Sequence, residues 1–466
     1  MRVLIIGAGW AGWAAAVEAT RLGHQVVVAE ATRTLGGRAR AVDITLPDGS
    51  VATLDNGQHI LIGAYSATLQ LMREIGIDTA ALLLRLPLTL LYPDGSGLAL
   101  PDWRRPWFAG VDVAAGILKA KGWTLGDKLS LLRAAGAWRR SCFTCPAHYT
   151  VAQLCQGISP RVMQQMIEPL VVSALNISAQ EASASVYLRV MRDALFAPST
   201  GQVAGSNMLL PRTDLTALLP APAQRWLAER GVMVRLGERV TDLSLLLKSE
   251  LPVQHFLGPE AQKAQKIPPY DAIVLATPPA EAARLVRTLQ PLGGSAEAAT
   301  ASTGASATAS QAAARIAAWA NTAAALQYTA ITTVYAYSQQ ARLATPVMAL
   351  PSAAQQPAQF VFDRGTLSGH QGLLAFVVSA SQGDAASLEQ LVIAQGRAQL
   401  ALADLQPVKT IVEKRATFAC TPGLQRPSMH IAPGVLACGD YVDGPYPATL
   451  EGAVRSGLAA ARALRI

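Results

Sequence analysis

Residues 2–6, Arg-Val-Leu-Ile-Ile, run straight into Gly7-Ala8-Gly9-Trp10-Ala11-Gly12, and this junction constrains the fold more than any other part of the 466-residue chain. The apolar run reads as a buried strand. A helical pattern follows from Trp10 to Leu22 and stops at Gly23, and Gln25 to Ala29 (QVVVA) reads as a second buried strand ending at Glu30. Strand, glycine turn, helix, strand is the opening of a parallel α/β sheet. In G-x-G-x-x-G each glycine has a job: Gly7 makes the tight turn, Gly9 lets backbone approach a pyrophosphate, and Gly12 allows close helix–sheet packing. Trp10 and Ala11 begin the helix, whose amides and positive dipole end face phosphate. Glu30, 18 residues after Gly12, accepts hydrogen bonds from ribose hydroxyls. NAD and FAD both fit this much.

The apolar N-terminal stretch resembles a signal peptide, but cleavage would destroy the glycine site. Ile316 to Ala341 is uncharged and of spanning length, yet rich in Ala and Thr, so it is not read as a membrane helix. Hydrophobic residues make up 51% of the chain and charged residues 15%, which excludes wholesale disorder and points to large cores and an apolar pocket.

Alternating patterns along the chain imply interleaved domains. Residues 1–80, 226–290 and 426–466 read as parts of a Rossmann-type, parallel-sheet nucleotide domain. Residues 81–225 and 326–425 read as a mixed α+β substrate domain. Residues 291–325 read as a flexible Ala/Ser/Thr-rich insertion, and 248–269 as an exposed polar excursion. Within this frame Leu88 to Tyr92 and Gly97 to Leu100 flank Pro93-Asp94-Gly95-Ser96 as a hairpin. Gly126 to Arg140 and Ser159 to Leu175 look helical, and Gly231 to Leu236 and Ala272 to Ala276 look like buried strands.

The residues after Glu30 separate the two cofactors. Arg33 and Leu35-Gly36-Gly37-Arg38 resemble the second glycine motif of the flavoprotein superfamily that contains amine oxidases, protoporphyrinogen oxidases and phytoene desaturases. Leu436-Ala437-Cys438-Gly439-Asp440 resembles its strand ending in Gly-Asp, and Thr449-Leu450 open the helix that faces the flavin. The resemblance implies FAD, with Gly36, Gly37, Arg38, Val240, Gly439, Asp440, Thr449 and Leu450 among its contacts. It also implies that Gly57 and Gln58 pass along the flavin ring.

Further stretches are similar to one branch, the bacterial hydroxysqualene dehydroxylases of hopanoid biosynthesis. They are Asp55-Asn56-Gly57-Gln58-His59, Glu168-Pro169-Leu170 with Ser173-Ala174-Leu175-Asn176, Leu210-Pro211-Arg212-Thr213-Asp214, Glu413-Lys414-Arg415, and Tyr446-Pro447-Ala448-Thr449. That resemblance implies reductive removal of a hydroxyl from a C30 isoprenoid, with reduced flavin as hydride donor, by a cytoplasmic enzyme peripheral on the inner face of the membrane. A general acid would protonate the departing hydroxyl, and His59, Asp443 and Tyr446 are candidates. The readings beside it are a carotenoid-type desaturase, an amine or protoporphyrinogen oxidase, and an FAD-bound lipid carrier without turnover. The electron donor is not legible.

Residues 101–140 hold Trp103, Trp107, Trp123 and Trp138 and eight basic residues against three acids, so +5 of the formal +8 charge lies there. With Phe108, Ile117 and Leu118 this fits a patch on an anionic lipid surface. No nucleic-acid motif accompanies the charge. Cys142-x-x-Cys145 with His148 and Cys155 has no second CxxC, so free thiols and no metal are expected.

Overall fold

The computed structural model describes residues 1–103, 110–196, 204–244, 246, 269–289 and 303–464. The chain forms two compact units. Unit 1 comprises Met1–Gly37, Leu219–Leu326 and Gln425–Ile466, and unit 2 comprises Arg38–Leu218 and Gln327–Leu424.

Unit 1 is built on a six-stranded sheet. Its order is Met233–Leu236, β2 (Gln25–Glu30), β1 (Arg2–Ile6), Ala272–Leu275, Val435–Ala437 and His430–Ala432. The first five strands are parallel and the last is antiparallel. β1 is central, and Val3 to Ile6 are at most 5% exposed. A strand covered on both faces needs a continuous apolar run, not alternation, which is what RVLII supplies. The crossover helix α1 (Trp10–Arg21) packs against the C-terminal helix Leu450–Ala463. The fit is close: a Cβ on Gly457 would come within 2.2 Å of the Ala11 carbonyl oxygen. Arg462 Nε lies 2.6 Å from Glu18 Oε1 across the same pair of helices.

Two boundary readings need correction. Residues 38–80 belong to unit 2, not to the nucleotide-binding unit. Strands Ala41–Thr45 and Val51–Asp55 form a separate two-stranded sheet among the described residues, and their polar contacts run to other unit 2 segments. The Ala41 N–H donates to Thr216 Oγ1 at 2.8 Å and the Tyr335 hydroxyl donates to the Asp55 carbonyl at 2.7 Å. The Ala/Ser/Thr-rich stretch is also not a flexible insertion throughout, because Thr303–Ala324 is a helix. Alanine is the strongest helix former, and Trp319, Ala320 and Ala323 give the helix a buried stripe. Trp319 Nε1 further donates to the Ser428 carbonyl at 2.7 Å. Residues 290–302, and the excursion 248–269 apart from Pro269, lie outside the described residues.

Unit 2 contains a five-stranded antiparallel sheet in the order Val347–Ala349, Phe360–Asp363, Leu373–Ser381, Tyr328–Tyr337, Gln406–Phe418. Helix Ala385–Leu400 covers one face, where Leu388, Val392 and Ile393 join Val334, Phe376 and Leu405 in one core. The hairpin forms between Thr89–Leu91 and Gly97–Ala99. The helical run from Pro160 to Leu175 is interrupted by a wider π turn at Met163–Ile167.

Asn176, just past that run, ties three strands of the large sheet together. It adopts a left-handed φ of 53°. Its Nδ2 donates to Thr329 Oγ1 at 2.9 Å and to Thr417 Oγ1 at 3.0 Å, and its Oδ1 accepts from the Ala380 N–H at 2.6 Å. Asn176→Ala removes all three bonds, leaves the Ala380 N–H without this acceptor and puts a Cβ-only residue in the left-handed region, so we expect a loss of about 3 kcal/mol. Urea unfolding monitored by far-UV circular dichroism measures it, and a midpoint equal to wild type would refute this role.

Candidate functional site

The crevice at the carboxyl ends of the unit 1 strands is where an open parallel sheet binds ligands. β1 ends in Gly7, whose φ of +112° only glycine adopts without strain. Gly12 cannot carry a side chain, since its Cβ would fall 1.9 Å from the Gly7 carbonyl oxygen. Gly9 is different: nothing lies within 4 Å of its Cβ position, so space opens above it. Gly9 is also the N-cap of α1 and no side chain caps that end. Trp10 and Ala11 are buried as the first residues of the helix. The second glycine pair sits directly on the first. Gly9 and Gly36 form a parallel bridge, and a Cβ on Gly37 would approach Gly9 Cα to 3.3 Å.

Glu30, at the end of β2, accepts the Ala8 N–H at 2.8 Å and the Thr32 N–H at 2.8 Å. It therefore fixes the glycine loop while retaining acceptor capacity for ribose hydroxyls. Arg33 is exposed, with its stem over Gly237. Val240, beyond strand Met233–Leu236, offers its carbonyl to Arg284. Thr277 follows strand Ala272–Leu275, with its N–H 3.3 Å from the position of a Gly7 Cβ. Its buried hydroxyl has no hydrogen-bond partner among the described residues. An open cradle above Gly9, an uncapped helix end and an orphaned hydroxyl beside Gly7 fit a dinucleotide pyrophosphate.

The C-terminal segment completes this end of unit 1. The Gly439 N–H donates to Ser456 Oγ at 2.7 Å, Asp440 is buried, and its carbonyl accepts from the Ala448 N–H. Thr449 caps the last helix by accepting the Gly452 N–H at 2.9 Å, and Leu450 is that helix's first residue. Tyr446 is half-buried, with the Arg455 guanidinium 4.9 Å from its ring centroid. The Asp443 side chain is 74% exposed and lies 3.1 Å from Arg426.

The remaining sequence candidates are in unit 2. Arg38 donates to the Ala416 carbonyl at 2.8 Å. Gly57, Gln58 and His59 follow strand Val51–Asp55 and face a buried polar cluster. His59 Nδ1 lies 2.9 Å from the Gly57 carbonyl oxygen. A carbonyl only accepts, so Nδ1 carries the proton and a neutral ring presents Nε2 as an acceptor. Burial pushes the His59 pKa below its ordinary value, with Arg38 adding in the same direction. Gln58 Nε2 donates to the Tyr335 hydroxyl at 2.7 Å, and Gln58 Oε1 accepts from Arg364 Nη1 at 3.1 Å. Asp55 is 1% exposed, and burial raises its pKa to about 7 despite the Leu215 N–H it accepts. Thr277, Tyr335 and Arg364 were not among the sequence candidates. No local motif marks them, since each acts through contacts distant in sequence.

The patch read into residues 101–140 is rearranged. Trp123 and Trp138 are buried: Trp123 Nε1 donates to Gln165 Oε1 at 2.7 Å, and Trp138 stacks edge-on against Tyr187. They are core residues and not a surface anchor. Trp107 and Phe108 lie outside the described residues. The exposed apolar side chains here are Trp103, Val111, Leu118, Leu125 and Leu129. No disulfide joins the cysteines, and among the described residues no cluster of His, Cys, Asp or Glu could hold a metal ion. No helix among them is long and apolar enough to cross a membrane.

Comparison with known proteins agrees with this geometry. The family described as flavin containing amine oxidoreductase matches residues 10–411. The chain is 28% identical to a hydroxysqualene dehydroxylase of Rhodopseudomonas palustris, over 98% of this chain and 97% of that protein. It is 24% identical to a zeta-carotene desaturase of Arabidopsis thaliana, over 51% of this chain and 43% of that protein. An oxidoreductase from Methanosarcina mazei shares the fold at TM-score 0.64 and 13% identity, covering 98% of this chain and 99% of that one. The chain therefore belongs to the flavin containing amine oxidoreductase family and is an FAD-dependent oxidoreductase.

Proposed function

We propose that the protein is a hydroxysqualene dehydroxylase that converts hydroxysqualene to squalene in hopanoid biosynthesis. The observation that carries this reading is the likeness to the Rhodopseudomonas palustris enzyme over nearly the whole of both chains, whereas the carotene desaturase named above matches about half of this chain. In the overall reaction the substrate C–O bond breaks, its oxygen takes a proton and leaves as water, and a hydride forms the new C–H bond. FAD, in its reduced form, supplies that hydride. Gly7, Gly9, Gly12, Glu30, Gly36 and Gly37 would hold the adenosine and pyrophosphate half.

His59, Tyr446 and Asp443 are the candidate proton donors. Tyr446 and His59 are the better placed by burial, since Asp443 is exposed beside Arg426. If protonated His59 is the donor, its active form declines as pH rises. Because its pKa is lowered, that decline has its midpoint below the ordinary imidazole value of about 6.5. His59→Gln then gives a slow, pH-independent rate. A wild-type profile flat from pH 5 to 8, together with a dead Tyr446→Phe variant, would assign the proton to Tyr446 instead.

The reaction itself is tested anaerobically. The protein is purified in mild detergent, its FAD is reduced with dithionite, and hydroxysqualene is added. Flavin reoxidation with an equal amount of squalene by mass spectrometry is expected. An intact reduced flavin and no squalene would exclude the dehydroxylase and bring forward the desaturase reading, assayed with oxidised flavin and isoprenoid hydrocarbons.

Peripheral contact with an anionic membrane is part of the same proposal. Leu125 and Leu129 lie four residues apart on one face of helix Leu125–Arg140, and Lys128 Nζ donates to the Leu118 carbonyl on the packed helix Val111–Lys119. Exposed Lys119 and Lys121 flank these apolar side chains, which suits a lipid surface bearing anionic headgroups. The double variant Leu118→Glu/Leu125→Glu should lose at least tenfold in co-sedimentation with phosphatidylglycerol vesicles while retaining FAD. Equal binding by wild type and variant would reject this face.

A further inference from the structure

Arg364 begins the short helix Arg364–Ser368 and is 2% exposed, one of the largest fully buried side chains of the protein. A buried guanidinium is costly unless its charge and its donors are met. Among the described residues no carboxylate lies within 4.0 Å of it, and Asp55 acts on it only at longer range. The adjacent Asp363 is consumed as a helix cap, its carboxylate accepting the Thr366 N–H at 3.0 Å and the Thr366 hydroxyl at 3.1 Å. Nη1 is satisfied by Gln58 Oε1. Nε and Nη2 have no hydrogen-bond partner among the described residues.

The two unsatisfied atoms are not scattered over the group. Nε–H and one Nη2–H point the same way and form one edge of the planar fork, the edge that grips two oxygens, or one electron-rich oxygen, side-on. The other end of the guanidinium is anchored by a chain of bonds: Arg364 Nη1 to Gln58, Gln58 Nε2 to the Tyr335 hydroxyl, and that hydroxyl to the Asp55 carbonyl. This chain fixes the plane of the fork in advance. A second orphan lies in the same cluster. Thr333 is on the same face of its strand as Tyr335, two residues away, and its fully buried Oγ1 has no partner among the described residues and sits 3.9 Å from the position of a Gly57 Cβ.

We propose that Arg364 is a ligand-binding residue whose free Nε–Nη2 edge receives an electron-rich oxygen of a bound small molecule, with Gln58 and Tyr335 as the positioning residues that hold it. Two molecules carry such an oxygen, FAD through the carbonyls of its ring and the substrate through its hydroxyl. The substrate alternative rests on the dehydroxylase reading, and the flavin alternative does not. In either case Arg364 supplies hydrogen bonds and positive charge.

The test uses the full-length, FAD-loaded protein with Arg364→Lys, Arg364→Gln and Gln58→Leu. Three quantities are read: the flavin midpoint potential, the Kd of hydroxysqualene from perturbation of the flavin spectrum, and the urea midpoint. If the oxygen belongs to the flavin, Arg364→Gln lowers the potential, because a positive charge that favours the reduced form is gone. Arg364→Lys then shifts it less, and Gln58→Leu shifts it in the same direction as Arg364→Gln. If the oxygen belongs to the substrate, the potential stays put and the Kd rises at least tenfold in both Arg364 variants, because lysine keeps the charge and loses the fork. Either result supports the proposal. A protein that never binds hydroxysqualene leaves the potential as the deciding quantity, so failure of the dehydroxylase reading is seen separately. Where Arg364→Gln does not fold, Arg364→Lys and Gln58→Leu carry the same readouts. Unchanged potential and unchanged or absent hydroxysqualene binding, with only the urea midpoint lowered, would make Arg364 a structural cation and overturn the proposal.

Discussion

Gly12→Val should yield protein without FAD. A Cβ at this position falls 1.9 Å from the Gly7 carbonyl oxygen and 3.0 Å from its carbonyl carbon, and both obstacles are backbone. The turn cannot step aside cheaply. Gly7 N–H is bonded to the Ala29 carbonyl at 2.8 Å, and the Ala8 carbonyl accepts from the Gly36 N–H at 3.0 Å. Helix α1 is held from the other side by the contact between Gly457 and Ala11. Forcing extra atoms into so tight a joint costs about 1–3 kcal/mol or more and displaces the amides that face phosphate. Gly9→Val makes the informative contrast, because nothing lies within 4 Å of that Cβ. Its fold should survive with a near-normal melting temperature, while the side chain occupies the space proposed for the pyrophosphate. The ratio of flavin absorbance at 450 nm to protein absorbance reads both variants. A Gly12→Val protein with a full complement of FAD would show that the joint yields more than its geometry allows.

The second large effect concerns Asp55 and the pH dependence of stability. Burial raises its pKa from an ordinary carboxyl value to about 7 in the folded protein. The folded state thus binds a proton that the unfolded state has released. Stability from this group is complete below the ordinary carboxyl pKa. It is lost as pH rises toward 7, at up to about 1.4 kcal/mol per pH unit, and is level above. Asp55→Asn removes the titration and retains an Oδ1 to accept the Leu215 N–H. The variant should therefore gain on wild type steadily between pH 5 and pH 7, by about 2 kcal/mol or more. Urea unfolding at several pH values measures the difference. Parallel curves for the two proteins would show that Asp55 is already ionised in the fold.

The nucleotide-binding core of unit 1 was legible because its signals are local. Gly7 to Gly12, Glu30 and Gly36-Gly37 lie within 31 residues, and each spacing has one geometric meaning. Interactions with distant partners were not. Trp123 and Trp138 carry the composition of an interfacial anchor, yet their destinies depend on Gln165 and Tyr187. The helix Thr303–Ala324 was hidden by low complexity, since only its packing separates an alanine-rich helix from an alanine-rich linker. Arg364 lies 306 residues from Gln58, with nothing in its neighbours to announce that bond.

The order in which the units alternate along the chain also bears on how the enzyme is made. The glycine loop is synthesised well before its supporting helix Leu450–Ala463 and the Gly439–Asp440 turn. Between them the chain leaves unit 1 and returns to it twice. The Val435–Ala437 strand pairs with Ala272–Leu275, so the sheet itself also waits for this late segment. A half-finished sheet is therefore present while the unit 2 segments are made, and a complete FAD cradle exists only after segment 435–463 has joined the glycine loop.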